Sequence, residues 1–394
     1  MSDEVNVQAE MEPGRVDDEN GIVNLDELFR KFDQVLDDVI RIPGQPAWIV
    51  LCGYAIGETS LFCCLANEFA KTHGHGIILV VTPKHVPVAR MYAHRFLKIV
   101  VMPDVFMRTM LRSGYIPQDR FELDQPFSAC WIDLGFRFSD GIRYLGRFPG
   151  RGGVSDTDLY RFFLRLPWNA RIEPPRIAPE CEDDAWQLAK QVGLRAGKSV
   201  VLCPINNSDK KLPDIFWKAT AARLNETGYK VFTNMGGLNS INGPPTMPVE
   251  GTVPVDLPIN LVIPFINFAG RGISGGNGMF FLIMLAGFES FKMTQLLQLP
   301  RNDEEDYSSL GYNAPTLARG VYLSSSMHYL APELCLRTPL NEFLVPYGAS
   351  PDELNHLAVV VADQNTDDPS CFTRYEANGN LFVKEHLDWL RILV

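Results

Sequence analysis

A run of six residues, Ser274, Gly275, Gly276, Asn277, Gly278 and Met279, stands between a short apolar strand pattern and a very apolar helix pattern. Glycines there let main-chain N–H groups come close to an anion, and the start of a helix adds positive potential, which suits a diphosphate. The spacing is not GxGxxG, and the same glycines equally suit a tight turn with close packing, so both readings stand. A second strand-to-helix loop, residues 204–211, offers main-chain amides, the Ser208 hydroxyl and two ammonium groups on Lys210 and Lys211. At the same edge of a parallel sheet it would hold phosphates from another side. Glu58, just after Gly57, has the chemistry of a base that takes a proton from a hydroxyl. An acidic residue at a helix start also simply complements the helix dipole. Asp133 ends a strand-like Cys-Trp-Ile-Asp run and is a second acidic candidate, or a loop cap. Arg137 and Arg143, with Arg147 and Arg151, alternate with Phe136, Phe138, Tyr144 and Phe148. They would bind an anionic or sugar acceptor by charge and stacking, or form a solvated loop with a few anchoring aromatics.

The elements that must position these residues alternate. Apolar residues at helical spacing predict an amphipathic helix over residues 24–40, broken by Pro43 and Gly44. A short apolar run over 47–52 leads into a helix with Leu61, Phe62, Leu65, Ala66 and Phe69 on its apolar face, stopped by Lys71, His73 and Gly74. Strands follow at 77–82 and 98–102, with helices at 86–96 and 104–112 and a further strand at 129–134. Residue 156 begins an aromatic helix. Pro174, Pro175 and Pro179 and the acidic stretch 180–184 mark an approach to a linker. The alternation then restarts with a strand at 199–203, a helix at 214–225 that carries Phe216 and Trp217 as core residues, and a strand at 229–235. Gly236 and Gly237 open a connection rich in proline and glycine, ahead of an apolar stretch at 257–268, a short strand at 272–273 and the helix at 280–285. Such alternation predicts an α/β fold with parallel sheets covered on both faces and ligands at the carboxyl ends of the strands.

The stretch VLCPINNSDKKLPDIFWKATAARLNETGYKVFTNMGG, residues 201–237, resembles the second domain of heptosyltransferase-type glycosyltransferases of glycosyltransferase family 9. There an apolar strand ends in His/Cys-Pro, then come a loop with Ser and Lys, an aromatic-containing helix and a Gly-Tyr-Lys-Val strand. Ala269, Ile273-Ser274 and Gly278 continue the pattern at similar spacing, and Ile56-Gly57-Glu58 stands where those enzymes carry Ile-Gly-Asp after the first strand. The resemblance implies the GT-B fold, two Rossmann-like domains with parallel sheets facing across a cleft. It implies Ser208, Lys210 and Lys211 near the donor phosphates, the 235–237 loop near the nucleotide, and Glu58 as the general base. Where many relatives have Asp-Thr-Gly-Pro and then His, this chain has Gly276, Asn277, Gly278, Met279 and Phe281, so the backbone loop is carried over and no side-chain role from it. The expected organisation is an acidic disordered tail over 1–20, an acceptor-side domain over 21–180, a nucleotide-sugar-binding domain over 181–380, and a C-terminal helix at 381–394 that packs back on the first domain.

Composition narrows the classes. A 394-residue chain favours two domains. A net charge of −11 argues against broad binding to nucleic acid or an anionic membrane. No apolar run is long enough to span a bilayer, and the acidic N-terminus lacks the features of a secretory signal, so a cytoplasmic protein, at most peripheral to a membrane, is expected. Eight scattered cysteines read as reduced thiols, and neither they nor the seven histidines have metal-ligand spacing, so no metal site is expected. The function implied is an inverting, metal-independent transfer of a sugar from a nucleotide-sugar to a glycan, lipid-linked or protein acceptor, with that co-substrate and no separate cofactor. A nucleotide-sugar epimerase, or a non-catalytic descendant that binds a sugar nucleotide or a partner protein, is the alternative; the latter is favoured by the missing Asp and His and by the insertion at 301–307.

Overall fold

The computed structural model describes residues 30–31, 34–52, 56–104, 107, 129–131, 157, 160–161, 164–167, 169–204, 212–236, 247–275, 278–287, 291–298, 340–345 and 349–365. These fall into two compact units, one containing the described residues up to 131 together with those of Tyr160–Glu173, the other containing Thr157 and the described residues from Pro174 onward.

The first unit holds a four-stranded, wholly parallel sheet in the order β3-β2-β1-β4, built from β1 (Ala47–Cys52), β2 (Gly76–Val81), β3 (Lys98–Val101) and β4 (Ala129–Trp131). Its central strands read AWIVLC and GIILVV and are buried almost end to end, as parallel strands with both faces covered must be. Ala47, Ile49, Leu51, Ile78, Val80 and Val100 pack on one face with Ile40, the last residue of a π-helical turn at Leu36–Ile40. The opposite parity faces α1 (Ile56–His73), where Trp48 meets Phe69 edge to face, 5.7 Å between ring centres.

Eight consecutive α1 residues, Thr59 to Ala66, are buried, more than one sheet face can cover. The remainder is covered by the segment Tyr160–Glu173, which is pinned along α1. The Tyr160 hydroxyl donates to Glu58 O (3.2 Å), Glu173 N to Cys64 O (2.8 Å) and His73 Nε2 to Leu164 O (2.8 Å). Glu173 also receives Arg95 through two hydrogen bonds, 2.6 and 2.7 Å, and contacts His94 at 2.9 Å. Burial alone would raise the Glu173 carboxyl, but these donors outweigh it and hold it below the usual range. The same contacts explain why the helix expected over 86–96 is shorter. It begins as a 3-10 turn at Pro83–His85, runs as α2 (Val86–Met91), and breaks at Tyr92 into a second 3-10 turn, Ala93–Arg95, that delivers His94 and Arg95 to Glu173.

His85 is fully buried, with Nδ1 2.9 Å from the Thr82 hydroxyl, and burial pushes its pKa down to about 3. The unfolded chain takes up a proton on this imidazole near pH 6.5 and the folded chain only near the lower value. Stability from His85 is therefore complete above about pH 6.5 and falls, by roughly 1.4 kcal/mol per unit, as pH drops toward the folded value. His85→Asn should flatten that acid limb in urea titrations between about pH 4 and 6.5. An unchanged limb would mean that another group sets it.

The second unit holds a six-stranded parallel sheet in the order β10-β9-β8-β5-β6-β7. Its strands are β5 (Ser199–Cys203), β6 (Lys230–Asn234), β7 (Val253–Val255), β8 (Arg271–Gly275), β9 (Lys292–Gln298) and β10 (Leu340–Val345). The helices are α3 (Pro179–Gln191), α4 (Asp214–Glu226), α5 (Ile259–Ala269), α6 (Gly278–Ala286) and α7 (Pro351–Gln364). Val200, Leu202, Val231, Ile273 and Leu296 share one face with Phe216, Trp217, Ala221 and Leu224 of α4 and Leu354, Ala358, Val361 and Ala362 of α7. The expected core roles of Phe216 and Trp217 are realised there. Phe232, of opposite parity, meets Phe265 of α5 on the other face. α7 starts with Ser350 as cap, reciprocally bonded with Glu353, and a proline in the first turn.

α7 ends in a buried polar knot. Asn365 Nδ2 donates to the Thr294 hydroxyl (2.8 Å) and to Val361 O (3.0 Å), the Thr294 hydroxyl donates to Asn365 Oδ1 (3.1 Å), and Arg271 Nη1 donates to Asn365 O (2.6 Å). Asn365→Ala strips the buried Thr294 hydroxyl of this partner and should cost about 1–3 kcal/mol by urea denaturation. A loss below about 0.5 kcal/mol would show that the knot is not coupled to global stability.

The segments expected as a disordered tail (1–20) and a C-terminal helix (381–394), like the 301–307 insertion, lie outside the described residues.

Candidate functional site

Counted from its own first strand, the second sheet runs 6-5-4-1-2-3, the doubly wound Rossmann order read from the far edge. In that order the chain leaves its first strand toward one edge and later returns to the other side of it. The reversal opens a crevice outside the carboxyl ends of β5 and β8, where open α/β sheets bind ligands. The pairing Val201↔Gly272, Leu202↔Ile273 and Cys203↔Ser274 sets those two strand ends side by side. The loop after β5 and the loop after β8 therefore start from adjacent points on one sheet edge. The first sheet repeats the pattern, with its reversal between β1 and β4, and α1 follows directly from β1.

Ser274 and Gly275, expected in the glycine-rich loop, instead complete β8, pairing with Gln295 and Leu296. Parallel pairing on both sides, with β5 and β9, outweighs the weak strand preference of a serine and a glycine. Ser274 is fully buried and its hydroxyl donates to Gly275 O at 2.9 Å. That bond turns the Ser274 hydroxyl toward main chain at the end of β8. Gly278 and Met279 form the first turn of α6 and are half-buried, so helix-start amides lie at this edge.

Asn234, which ends β6, is a residue that sequence reasoning missed. It is 1% exposed. Its Oδ1 accepts from Gly236 N (3.0 Å) and Leu257 N (3.3 Å), pinning the turn after β6 and the chain entering α5. Gly236 sits at φ +79°, a left-handed conformation that glycine adopts without strain. The Asn234 amide nitrogen points the other way, 3.6 Å from Met279 Sδ and 4.0 Å from Cys203 Sγ. Burial pushes the Cys203 thiol up to about 12, although the Asn234 contact works against it. One side chain thus touches the end of β5, the turn after β6 and the first turn of α6. The sequence signal was an asparagine ending a β-branched strand directly ahead of Met235, Gly236 and Gly237.

Glu58 lies in the first unit, in the first turn of α1 and half-buried. Its carboxylate is near enough to the end of β1 to add to the effect of burial in raising the Cys52 thiol. Ser208, Lys210, Lys211, Gly237, Gly276 and Asn277, and on the acceptor side Asp133, Arg137 and Arg143, lie outside the described residues. Among the described residues no group of three or more His, Cys, Asp or Glu side chains could hold a metal ion, and no helix is long and apolar enough to cross a membrane. Cys52, Cys63, Cys64, Cys181 and Cys203 are free thiols, and all of these but Cys181 are buried.

No protein-family model matches this sequence, and no curated protein sequence does. Among solved structures it is similar to a glycosyl transferase of family 9 from Veillonella parvula, at 12% identity over 89% of this chain and 99% of that one, with a TM-score of 0.47. It is also similar to the ADP-heptose lipopolysaccharide heptosyltransferase II of E. coli, at 9% identity over 80% and 99% of the two chains and a TM-score of 0.46. A further likeness is to an E. coli heptosyltransferase with ADP, at 10% identity, 80% and 98% coverage and a TM-score of 0.38.

Proposed function

We propose that this chain is a glycosyltransferase that moves a sugar from a nucleotide-diphosphate sugar to a hydroxyl-bearing acceptor, with inversion and without a metal. The observation that carries the reading is the adjacency of the β5 and β8 ends at the reversal point of a Rossmann-order sheet. The two loops that leave from there are the two whose residue types suit phosphate, and the motifs of residues 201–237 resemble family 9 in that same stretch. In this reading the donor diphosphate meets main-chain amides after β8 and at the start of α6, while Ser208, Lys210 and Lys211 approach from the loop after β5. As the sugar–diphosphate bond breaks through an oxocarbenium-like state, Glu58 accepts the proton of the attacking hydroxyl. Negative charge then grows on the leaving diphosphate, where the two lysines and the helix start stabilise it without a metal. Asp133, Arg137 and Arg143 serve the acceptor, whether glycan, lipid-linked or protein. The protein would work in the cytoplasm, where nucleotide-sugars are at hand.

The test is product analysis with a panel of isotope-labelled nucleotide-sugars. Release of a nucleoside diphosphate with the sugar passed, inverted, to an acceptor or to water supports the reading. Conversion of the donor to its epimer without transfer would assign the site to an epimerase, and inertness toward every donor would leave a binding protein.

A further inference from the structure

The Asn234 carboxamide is oriented by its oxygen. Oδ1 takes two main-chain N–H groups, from Gly236 and Leu257, so the NH2 group is committed to the opposite side, toward Cys203 and Met279. Among the described residues that NH2 has no oxygen acceptor, only a thioether at 3.6 Å and a thiol at 4.0 Å, both weak, in a position 1% exposed. A buried amide donor left with weak acceptors forgoes most of the hydrogen-bond energy it gave up on leaving water. The structure holds it there with a correctly turned, doubly anchored carbonyl, against the carboxyl end of β5 and the first turn of α6. Met279 is half-buried and unbranched, so its sulfur can swing aside at little cost.

We infer that Asn234 is a prepositioned hydrogen-bond donor for an anionic oxygen of a nucleotide's diphosphate, and that Met279 Sδ gives way to that oxygen. This rests on the nucleotide reading above and adds to it a side-chain contact supplied from β6 rather than from either glycine- or lysine-bearing loop. The replacement is favourable because a charged oxygen is a far stronger acceptor than a thioether. It also predicts which part of the ligand Asn234 senses, the phosphates and not the nucleoside.

Calorimetric titration of the full chain with ADP, UDP, GDP and CDP, and with the matching nucleosides, tests it. Asn234→Asp keeps the shape and the two bonds accepted from Gly236 and Leu257, but replaces the donor with a negative charge. It should weaken the diphosphate that the wild type binds by at least about tenfold while leaving the matching nucleoside within about twofold. Met279→Ala removes the thioether from the amide without touching Asn234, and should tighten the diphosphate by about twofold or more. Equal diphosphate affinity in Asn234→Asp, or an equal loss for diphosphate and nucleoside, overturns the inference. Should Asn234→Asp not fold, Met279→Ala decides, with unchanged or weaker binding overturning it. A wild-type chain that binds none of the diphosphates overturns the nucleotide reading and this contact with it, whereas diphosphate binding indifferent to Asn234 overturns the contact alone.

Discussion

Glu58→Gln is expected to cut turnover by about 10²–10⁴-fold, the usual contribution of a positioned general base, while nucleoside diphosphate affinity stays within about twofold. The substitution keeps size and hydrogen-bonding shape and removes only the basic oxygen, so a selective loss of kcat identifies proton transfer. The rival role makes a different forecast. As an acidic residue in the first turn of α1, Glu58 would stabilise the helix dipole by about 0.3–1 kcal/mol, and its loss would lower the melting temperature slightly and leave turnover intact. Steady-state kinetics on the donor identified by product analysis, paired with a thermal melt, separates the two.

Phe265→Ala is expected to cost about 3–5 kcal/mol, the range for removing a large aromatic from a packed interior. Phe265 is fully buried and stands edge to face against Phe232, ring centres 5.7 Å apart and planes at 86°, so it ties α5 to the face of the sheet opposite α4 and α7. The edge-to-face contact adds to simple burial. A surface control, Ile215→Ala on α4, which is 37% exposed, should change stability by about 0.5 kcal/mol or less. Urea titration reads both, and a Phe265 loss no larger than that of the control would mean that α5 is not part of the cooperative core.

Much of this frame is legible in the residues because both sheets are buried on two faces. Strands such as AWIVLC, GIILVV and SVVLC are continuous apolar runs bounded by glycine or proline, and the helices between them carry ordinary stop signals, such as Gly74 after His73. The placement of Glu58 in the first turn after β1 follows from that local pattern. Local pattern fails where partners are distant. Ser274 and Gly275 look like loop residues and are strand residues, because Cys203 on one side and Gln295 and Leu296 on the other complete their ladder. β9 reads KMTQLLQ, a weak strand pattern, since Thr294 and Gln295 are polar yet fully buried; Thr294 is satisfied by Asn365, 71 residues away. The break at Tyr92 depends on Glu173, and Asn234 gains its meaning only from Gly236, Leu257, Cys203 and Met279, which tertiary pairing alone assembles. The capping box of α7, by contrast, stands in plain sight as Ser350-Pro-Asp-Glu353.

The proposed function turns on nucleotide binding at the edge formed by β5 and β8. The most direct measurement is the melting temperature of the full chain against a panel of nucleoside diphosphates and nucleotide-sugars, since a ligand bound only by the folded state stabilises it by about 2.7 kcal/mol at a hundredfold excess over Kd. A rise of several degrees confined to nucleotides of one base is the predicted result. No rise with any nucleotide at millimolar concentration would contradict the account.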